Sequence, residues 1–390
     1  MLRPATGFAT WPASADGRGI AIGAAALAGT AARLAVVASD ASPRRVRFLT
    51  SATWQGPYSA TGITQASPRI KCLTPLVWFV TNDDGDDRRF GDGAASRSVD
   101  GGLTWAANLT DMQDVARASD GRLWAIAHSV TDWTQTKVYY SIDNGANWIL
   151  AHTFGTGLSP IAWRGIRIIC HPNDPNKVCV IGVERGVNAG KIGRATTDPT
   201  QTANWSETNT GSTTDTTTAG NGLDRFKAAW LTNGRIVLTK LAPIGGAPSI
   251  LTSDDNGATW TTRHSEAAGG AGPYYVLAGV SGAKIVVWRR DDSGGTPASR
   301  PLVSDNSGVS FAELAVSSFE VITGDTSSRG DSGAVYDPPD DALYVIDDDA
   351  LAKSVWRLTP VSVDGVWTNI TLDLDATSWA EEAAAIIPRS

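Results

Sequence analysis

Ser98-Val99-Asp100-Gly101-Gly102-Leu103-Thr104-Trp105 is the stretch whose reading decides the fold. Its pattern, Ser-x-Asp-x-Gly-x-x-Trp, returns as Ser141-Ile142-Asp143-Asn144-Gly145-Ala146-Asn147-Trp148 and as Ser253-Asp254-Asp255-Asn256-Gly257-Ala258-Thr259-Trp260. A weakened copy, Ser304-Asp305-Asn306-Ser307-Gly308-Val309-Ser310-Phe311, carries Asn for Asp and Phe for Trp. Degenerate copies end at Trp205, at Trp367 and at Trp54. An internal repeat of this kind outranks every other signal in a chain, because missing it misreads the whole architecture.

The chemistry of the octapeptide is that of a turn. A tight turn strips several backbone N–H groups of ladder partners, and the Asp carboxylate can accept from them. The Gly supplies a backbone angle that a side chain resists. The Trp, opening the next strand, has a large surface to bury between neighbouring sheets. The closing aromatics stand at 54, 105, 148, 205, 260, 311 and 367. Each interval has room for four short strands: between Trp105 and Trp148 they read as 114–118, 122–127 and 137–142, with a fourth opening at Trp148. Four strands per step, repeated around seven times, predict one all-β, seven-bladed β-propeller over 1–390 with turns of this type. Six or eight blades remain open alternatives, since the first repeat is the weakest. The terminal segments 5–11 and 379–388 both carry strand-like apolar residues, and either can close the ring. The Ala/Gly-rich stretch 20–38 reads as two strands around a Gly-Thr turn.

Composition agrees with many short strands. The 390 residues are 42% hydrophobic and only 19% charged, with 40 Gly and 15 Trp. The net charge of −7 and the lack of a Lys/Arg-rich run argue against nucleic acid and against anionic membranes. Segment 20–38 contains Arg33 and is too weakly apolar to span a bilayer. The start Met-Leu-Arg-Pro-Ala-Thr lacks the basic-then-apolar pattern of a signal peptide, so synthesis in the cytoplasm without standard secretion is expected. Three cysteines, Cys72, Cys170 and Cys179, are no disulfide framework. Cys170 and Cys179 flank a hairpin turn, either facing each other or buried as small apolar residues.

These octapeptides resemble the Asp-box (BNR) repeats of the sialidase and neuraminidase superfamily, which also occur in xyloglucanase-type glycosidases, sortilin-type receptors and photosystem assembly factors. The segment Ile168-Ile169-Cys170-His171-Pro172-Asn173-Asp174-Pro175-Asn176-Lys177-Val178 resembles the hairpin of that latter group. The likeness covers about 40–370 and implies a fold more than a function, because the box is a structural device. A sialidase-like site implies an arginine cluster, a Tyr activated by a Glu, and an acid/base Asp. The family's first arginine sits in Phe/Tyr-Arg-Ile-Pro; the nearest string here, Ser67-Pro68-Arg69-Ile70-Lys71, has the wrong flanks. Tyr274, Tyr275 and Glu184 are candidates for the Tyr–Glu pair by position alone, with packing and solvation the competing account. No catalytic residue is assigned. Xyloglucanase-type enzymes resemble two facing propellers, and this chain has room for one.

Metal signals are thin. His128, His152, His171 and His264 lack zinc spacing. Asn82-Asp83-Asp84-Gly85-Asp86-Asp87 is rich enough in oxygen to hold Ca²⁺ at Asp83–Asp87, without EF-hand spacing; Asp347-Asp348-Asp349 shares the ambiguity. No other cofactor is expected.

The topology places a ligand where motifs do not. With the octapeptide in the turn from third to fourth strand, the second-to-third and fourth-to-first connections fall on the opposite face. These are the long ones, at 82–93, 129–136, 154–165, 206–224, 290–300 and 317–332, and long loops on a rigid scaffold carry binding. Trp133 and Trp163 suit stacking on sugar rings; Arg164, Arg290, Arg329 and Asp331 suit hydroxyls or acidic sugars. Packing of Trp163 at a sheet junction and pairing of Arg290 with Asp291 or Asp292 are the competing accounts. The Ser/Thr-rich 206–218 reads as a flexible loop.

The expectation that follows is a non-catalytic binding or structural propeller, displayed on a bacteriophage virion as a tail, spike or decoration protein. Its partners would be other virion or assembly proteins and host surface polysaccharide, on the exterior of the particle or host cell. Arginine exceeds lysine throughout, as in a phage of a GC-rich host. The alternatives are a divergent sialidase-like exo-glycosidase and an intracellular assembly factor.

Overall fold

The computed structural model describes residues 34–38, 44–49, 54–60, 67–83, 94–128, 135–155, 163–184, 189–213, 227–240, 248–266, 274–290, 300–316, 334–347, 354–370 and 381–386. Among them the chain is all-β, with only short 3-10 turns besides strands. The strands form seven four-stranded antiparallel sheets, numbered here in chain order.

Sheet 2 consists of Ser67–Cys72, Trp78–Asp83, Ala94–Ser98 and Ala106–Thr110; sheet 3 of Met112–Arg117, Leu123–His128, Thr136–Ser141 and Ile149–Phe154. Sheet 4 holds Trp163–Cys170, Val178–Glu184, Ala189–Ala195 and Trp205–Thr213; sheet 5 holds Lys227–Trp230, Ile236–Lys240, Ser249–Ser253 and Thr261–Ser265. Sheet 6 runs through Tyr274–Ser281, Lys284–Arg290, Arg300–Ser304 and Ala312–Glu313; sheet 7 through Ala334–Asp337, Ala342–Asp347, Ser354–Thr359 and Val366–Asn369. Each is a simple meander, first strand to fourth.

Sheet 1 breaks that rule. Its order is Glu381–Ile386, Leu34–Ala38, Arg44–Leu49, Trp54–Ala60. The C-terminal strand pairs antiparallel with Leu34–Ala38, from Leu34 opposite Ile386 to Ala38 opposite Glu381. It also packs on the first strands of sheets 2 and 7. The first strands of sheets 2 to 7 follow one another in the same way, sheet 2 reaching sheet 3 through its second strand. These contacts complete a cycle: the sheets stand around an axis as in a β-propeller, and the C-terminal segment joins the ends. Segment 5–11 lies outside the described residues, as does 20–33; of the two strands expected over 20–38, Leu34–Ala38 is described.

The core lies between sheets. Trp124, Ile126, Val138, Ala151 and Phe154 of sheet 3 interlock with Ile168, Val178, Val180, Ala195 and Trp205 of sheet 4. Trp205 meets the rings of Trp124 at 6.2 Å and Phe154 at 5.6 Å, both edge-on, the geometry aromatic quadrupoles favour. Trp260, Phe311 and Trp367 fill the corresponding junctions further round.

The octapeptide turns are built as their chemistry dictates. Asp143 accepts from the Asn147 N–H at 2.9 Å, the Asn147 side chain at 2.7 Å and Ser141 Oγ at 2.7 Å. Those bonds, the Asn147 N–H first, hold its carboxyl down at about 2. Ser141 Oγ in turn accepts from the Gly145 N–H at 2.8 Å. Two consecutive residues take left-handed backbone, Asn144 at φ 57° and Gly145 at 81°, and likewise Asn256 and Gly257. In the weakened copy Asn306 Oδ1 accepts from Ser304 Oγ and the Ser310 N–H, keeping the network without the charge.

Two expectations are corrected. Residues 206–213 of the supposed loop belong to a strand, because Trp205–Thr213, largely β-branched and small polar, pairs with Ala189–Ala195. Cys170 and Cys179 do not face each other. In the register Cys170 opposes Val178 and Cys179 opposes Ile169, and the two side chains pack in different inter-sheet clusters. Both are free thiols.

Candidate functional site

Antiparallel meanders fix which ends share a face. The octapeptides and the first-to-second turns lie together on one face. The starts of first strands and the ends of second strands lie on the other. Trp163 opens the first strand of sheet 4 and pairs with Glu184, which closes the second. Tyr274 opens the first strand of sheet 6 and pairs with Arg290, which closes the second. Asp83 closes the second strand of sheet 2, opposite Ser67. Arg164 pairs with Val183. The structure thus brings four of the separately nominated residues into two cross-strand pairs at the expected face. Trp133, Arg329, Asp331, Asp84–Asp87, Asp348 and Asp349 lie outside the described residues. No group of three or more His, Cys, Asp or Glu able to hold a metal ion occurs among the described residues.

The described side chains at this face centre on Tyr275. It is 1% exposed, sealed among Leu231, Val237 and Ile250 of sheet 5 and Leu277, Ile285, Val287 and Leu302 of its own sheet 6. Its phenol donates to Glu266 Oε1 at 2.5 Å. Glu266 follows the fourth strand of sheet 5, so the bond crosses the junction. Arg289 holds Glu266 bidentately, Nε to Oε1 at 2.8 Å and a terminal nitrogen to Oε2 at 2.7 Å. Beyond Arg289, Glu313 stands at 3.5 Å and Arg300 continues the chain from Glu313 at 3.4 Å. His264 lies against the Tyr275 ring at 5.5 Å, its Nε2 3.7 Å from Glu266.

Charge in this cluster is settled by geometry. The Arg289 fork keeps Glu266 ionised, below the usual carboxylate range. Burial, and then the bond to Glu266, push the Tyr275 phenol well up. Tyr275 donates a hydrogen bond to the Glu266 carboxylate across the junction. The pair matches a Tyr–Glu requirement in composition, but a nucleophilic phenol must reach a substrate, and this one is sealed between two sheets at 1% exposure. Glu266 follows the fourth strand of sheet 5, Arg289 and Glu313 lie in the second and fourth strands of sheet 6, and no spacing in the sequence announces them.

A buried carboxylate lies among the first strands. Asp114, 2% exposed, pairs with Lys71 of sheet 2 at 2.9 Å and accepts from the Ile168 N–H of sheet 4 at 3.0 Å. It ties three neighbouring sheets together, and its burial is compensated by a cation and a backbone donor. Arg167 is buried to 5% on the first strand of sheet 4. Sheet 5 stands between it and Arg289, so the two arginines belong to different junctions.

No family model and no curated relative matches the chain. Solved structures do. A protein from Lactobacillus plantarum aligns over 92% of this chain and all of its own, at 13% identity and TM-score 0.57. A putative 6-phosphogluconolactonase from Bacteroides fragilis aligns over 92% and 98%, at 11% identity and TM-score 0.55. A GH74 xyloglucanase from Xanthomonas campestris aligns with 77% of the chain at 14% identity and TM-score 0.41, and the chain spans 39% of that enzyme's length. At these identities the likeness is one of fold: the chain is a β-propeller. Among the described residues no helix is long and apolar enough to cross a membrane.

Proposed function

We propose that the chain is one domain over 1–390, a closed seven-bladed propeller of the Asp-box kind that binds rather than catalyses. In this reading it contacts host surface glycans with its long-loop face, as a tail, spike or decoration protein of a bacteriophage particle. The observation that carries the non-catalytic reading is the Tyr275–Glu266–Arg289 clamp: this Tyr–Glu pair joins two sheets, and its phenol is buried between them. Support for the binding face is topological. Trp163, Arg164 and Arg290 open or close strands there, and Trp133, Arg329 and Asp331 fall in its connections.

The test is retention of the purified protein on a panel of bacterial surface polysaccharides and sialosides, with released sugar measured in the same tubes. Retention without release is expected. Release overturns the binding reading in favour of a divergent exo-glycosidase and sends the search to Tyr274 and Glu184. The virion setting is checked by quantifying the chain in purified particles; its absence from them removes that part.

A further inference from the structure

The left-handed fourth position of the octapeptide creates a chemical liability. Its copies place Gly101, Asn144, Asn256 and Ser307 there, at φ 74°, 57°, 57° and 58°. Asparagine tolerates that backbone better than most side chains do. The fifth position has to be glycine: a Cβ at Gly145 falls 2.6 Å from Phe79 Cζ, and one at Gly257 falls 3.1 Å from Ile192 Cγ2. The turn's own demands therefore produce Asn144-Gly145 and Asn256-Gly257. An Asn-Gly step is the most reactive that a backbone offers, because glycine has no side chain to shield its nitrogen from the carboxamide before it.

The reaction is intramolecular. The Gly145 nitrogen loses its proton and attacks Asn144 Cγ; a new C–N bond forms, the carboxamide C–N bond breaks, and ammonia leaves a cyclic succinimide. Water then opens the ring at either carbonyl, giving aspartate or isoaspartate. The isoaspartate route carries the backbone through the side chain and lengthens the turn by one atom. Either product adds a carboxylate beside Asp143, and the longer turn displaces Gly145 from its seat against Phe79.

The fold engages the nitrogen at each such step among the described residues. The N–H groups of Gly101, Gly121, Gly234 and Gly365, each preceded by Asp or Asn, donate to the carbonyls of Leu76, Ala118, Leu231 and Ser362, all at 3.0 Å. In the two Asn-Gly octapeptides the acceptor is a side chain instead. The Gly145 N–H donates to Ser141 Oγ and the Gly257 N–H to Ser253 Oγ, both at 2.8 Å and both buried. Each hydroxyl is anchored in turn by donating to its aspartate, Ser141 to Asp143 at 2.7 Å and Ser253 to Asp255 at 2.8 Å. The carboxamides of Asn144 and Asn256 make no hydrogen bond among the described residues, and Asn144 is exposed to water. Restraint on the reaction therefore sits on the nitrogen, and it hangs on one hydroxyl per turn.

We propose that Asn144 and Asn256 are deamidation sites held in check by Ser141 and Ser253. The first residue of the octapeptide protects the chain chemically as well as closing its turn. This holds whether or not the long-loop face binds glycans.

The experiment is incubation of the full chain in mildly alkaline buffer, with peptide mapping by mass spectrometry and isoaspartate detection over time. A synthetic peptide of residues 138–150 sets the rate without the fold. The wild-type chain should convert Asn144 at least about tenfold more slowly than the peptide, since reaction waits on local opening of the turn. Ser141→Ala leaves the Gly145 N–H without its acceptor, and should speed Asn144 by about tenfold while Asn256 and Asn233 keep their wild-type rates. Ser253→Ala should speed Asn256 alone. Asn233 is the internal control: a backbone carbonyl guards Gly234, so neither substitution removes its protection, and its rate reports global unfolding in the same digest. A wild-type chain that reacts at Asn144 as fast as the peptide overturns the proposal. So does a Ser141→Ala chain that leaves Asn144 at the wild-type rate. Acceleration of Asn144, Asn233 and Asn256 together also overturns it, because protection then belongs to the folded state as a whole and not to the serine.

Discussion

Gly145 and Gly282 both have left-handed backbone, φ 81° and 58°, and they separate two reasons for a glycine. A Cβ at Gly282 meets nothing within 4 Å. A Cβ at Gly145 falls 2.6 Å from Phe79 Cζ and 3.1 Å from Trp148 Cζ2. Phe79 is fully buried in the neighbouring sheet, edge-on to Trp148 at 6.1 Å, so its ring has nowhere to retreat. Gly282→Ala should cost only the left-handed term, about 1 kcal/mol after the gain from a stiffer unfolded chain. Gly145→Ala adds overpacking of about 1–3 kcal/mol, for a total of roughly 2–4 kcal/mol. The assay is urea unfolding followed by tryptophan fluorescence. Phe79→Leu in the Gly145→Ala background should return about 1 kcal/mol relative to the sum of the single changes, a coupling only touching groups show. Equal losses at the two glycines, with no coupling to Phe79, refute the argument that the octapeptide glycine exists to let the neighbouring sheet approach.

Three further outcomes follow from the same structure. Asp143 and Asp255 both sit at about 2: Asp143 through bonds from Asn147, Asp255 through bonds from Thr259 and Ser253 that overcome its burial. Both are lowered from an ordinary 3.8, so the stability they contribute is complete above that value and drains as pH falls through about 2. Urea midpoints should stay level down to about pH 4 and fall below it, and Asp255→Asn, which copies the Asn306 turn, should flatten part of that fall. Ending the chain at residue 380 removes the strand paired with Leu34–Ala38; near-ultraviolet dichroism should show lost tertiary packing, and a peptide of residues 381–390 added back should restore it. Burial pushes the Cys170 thiol up and Cys179 to about 12, so thiol reagents should label neither in the native protein, and oxidants should form no bridge between them.

What the sequence makes legible is what its local chemistry closes within a few residues. The octapeptide is such a case: Ser141, Asp143, Gly145 and Asn147 satisfy one another inside a single turn, so the pattern is readable wherever it recurs, and the spacing of its aromatics gives the rhythm of the sheets. Even the substitution at Asn306 is readable, because an amide reproduces the acceptor geometry. The closing strand is the opposite case. Glu381–Ile386 pairs with Leu34–Ala38 from the far end of the chain, and nothing in Glu-Glu-Ala-Ala-Ala-Ile distinguishes an innermost strand from any other short apolar run. Strand 205–213 reads as loop because Ser and Thr dominate it, while the ladder to 189–195 decides its state; β propensity is a property of the surface a residue meets. The Tyr275 clamp fails to show for a third reason. Its parts are unremarkable singly: a Glu just after a strand, an Arg one residue before a strand's end, a Tyr second in its strand. Only the stacking of sheet 5 on sheet 6 places the carboxylate at the phenol and the guanidinium behind it. The same stacking turns Tyr275, nominated by position for a Tyr–Glu pair, into part of a joint with Glu266, since it buries the phenol. A propeller built by repetition therefore announces its turns and conceals its junctions, and those junctions settle which of its polar groups remain free to act.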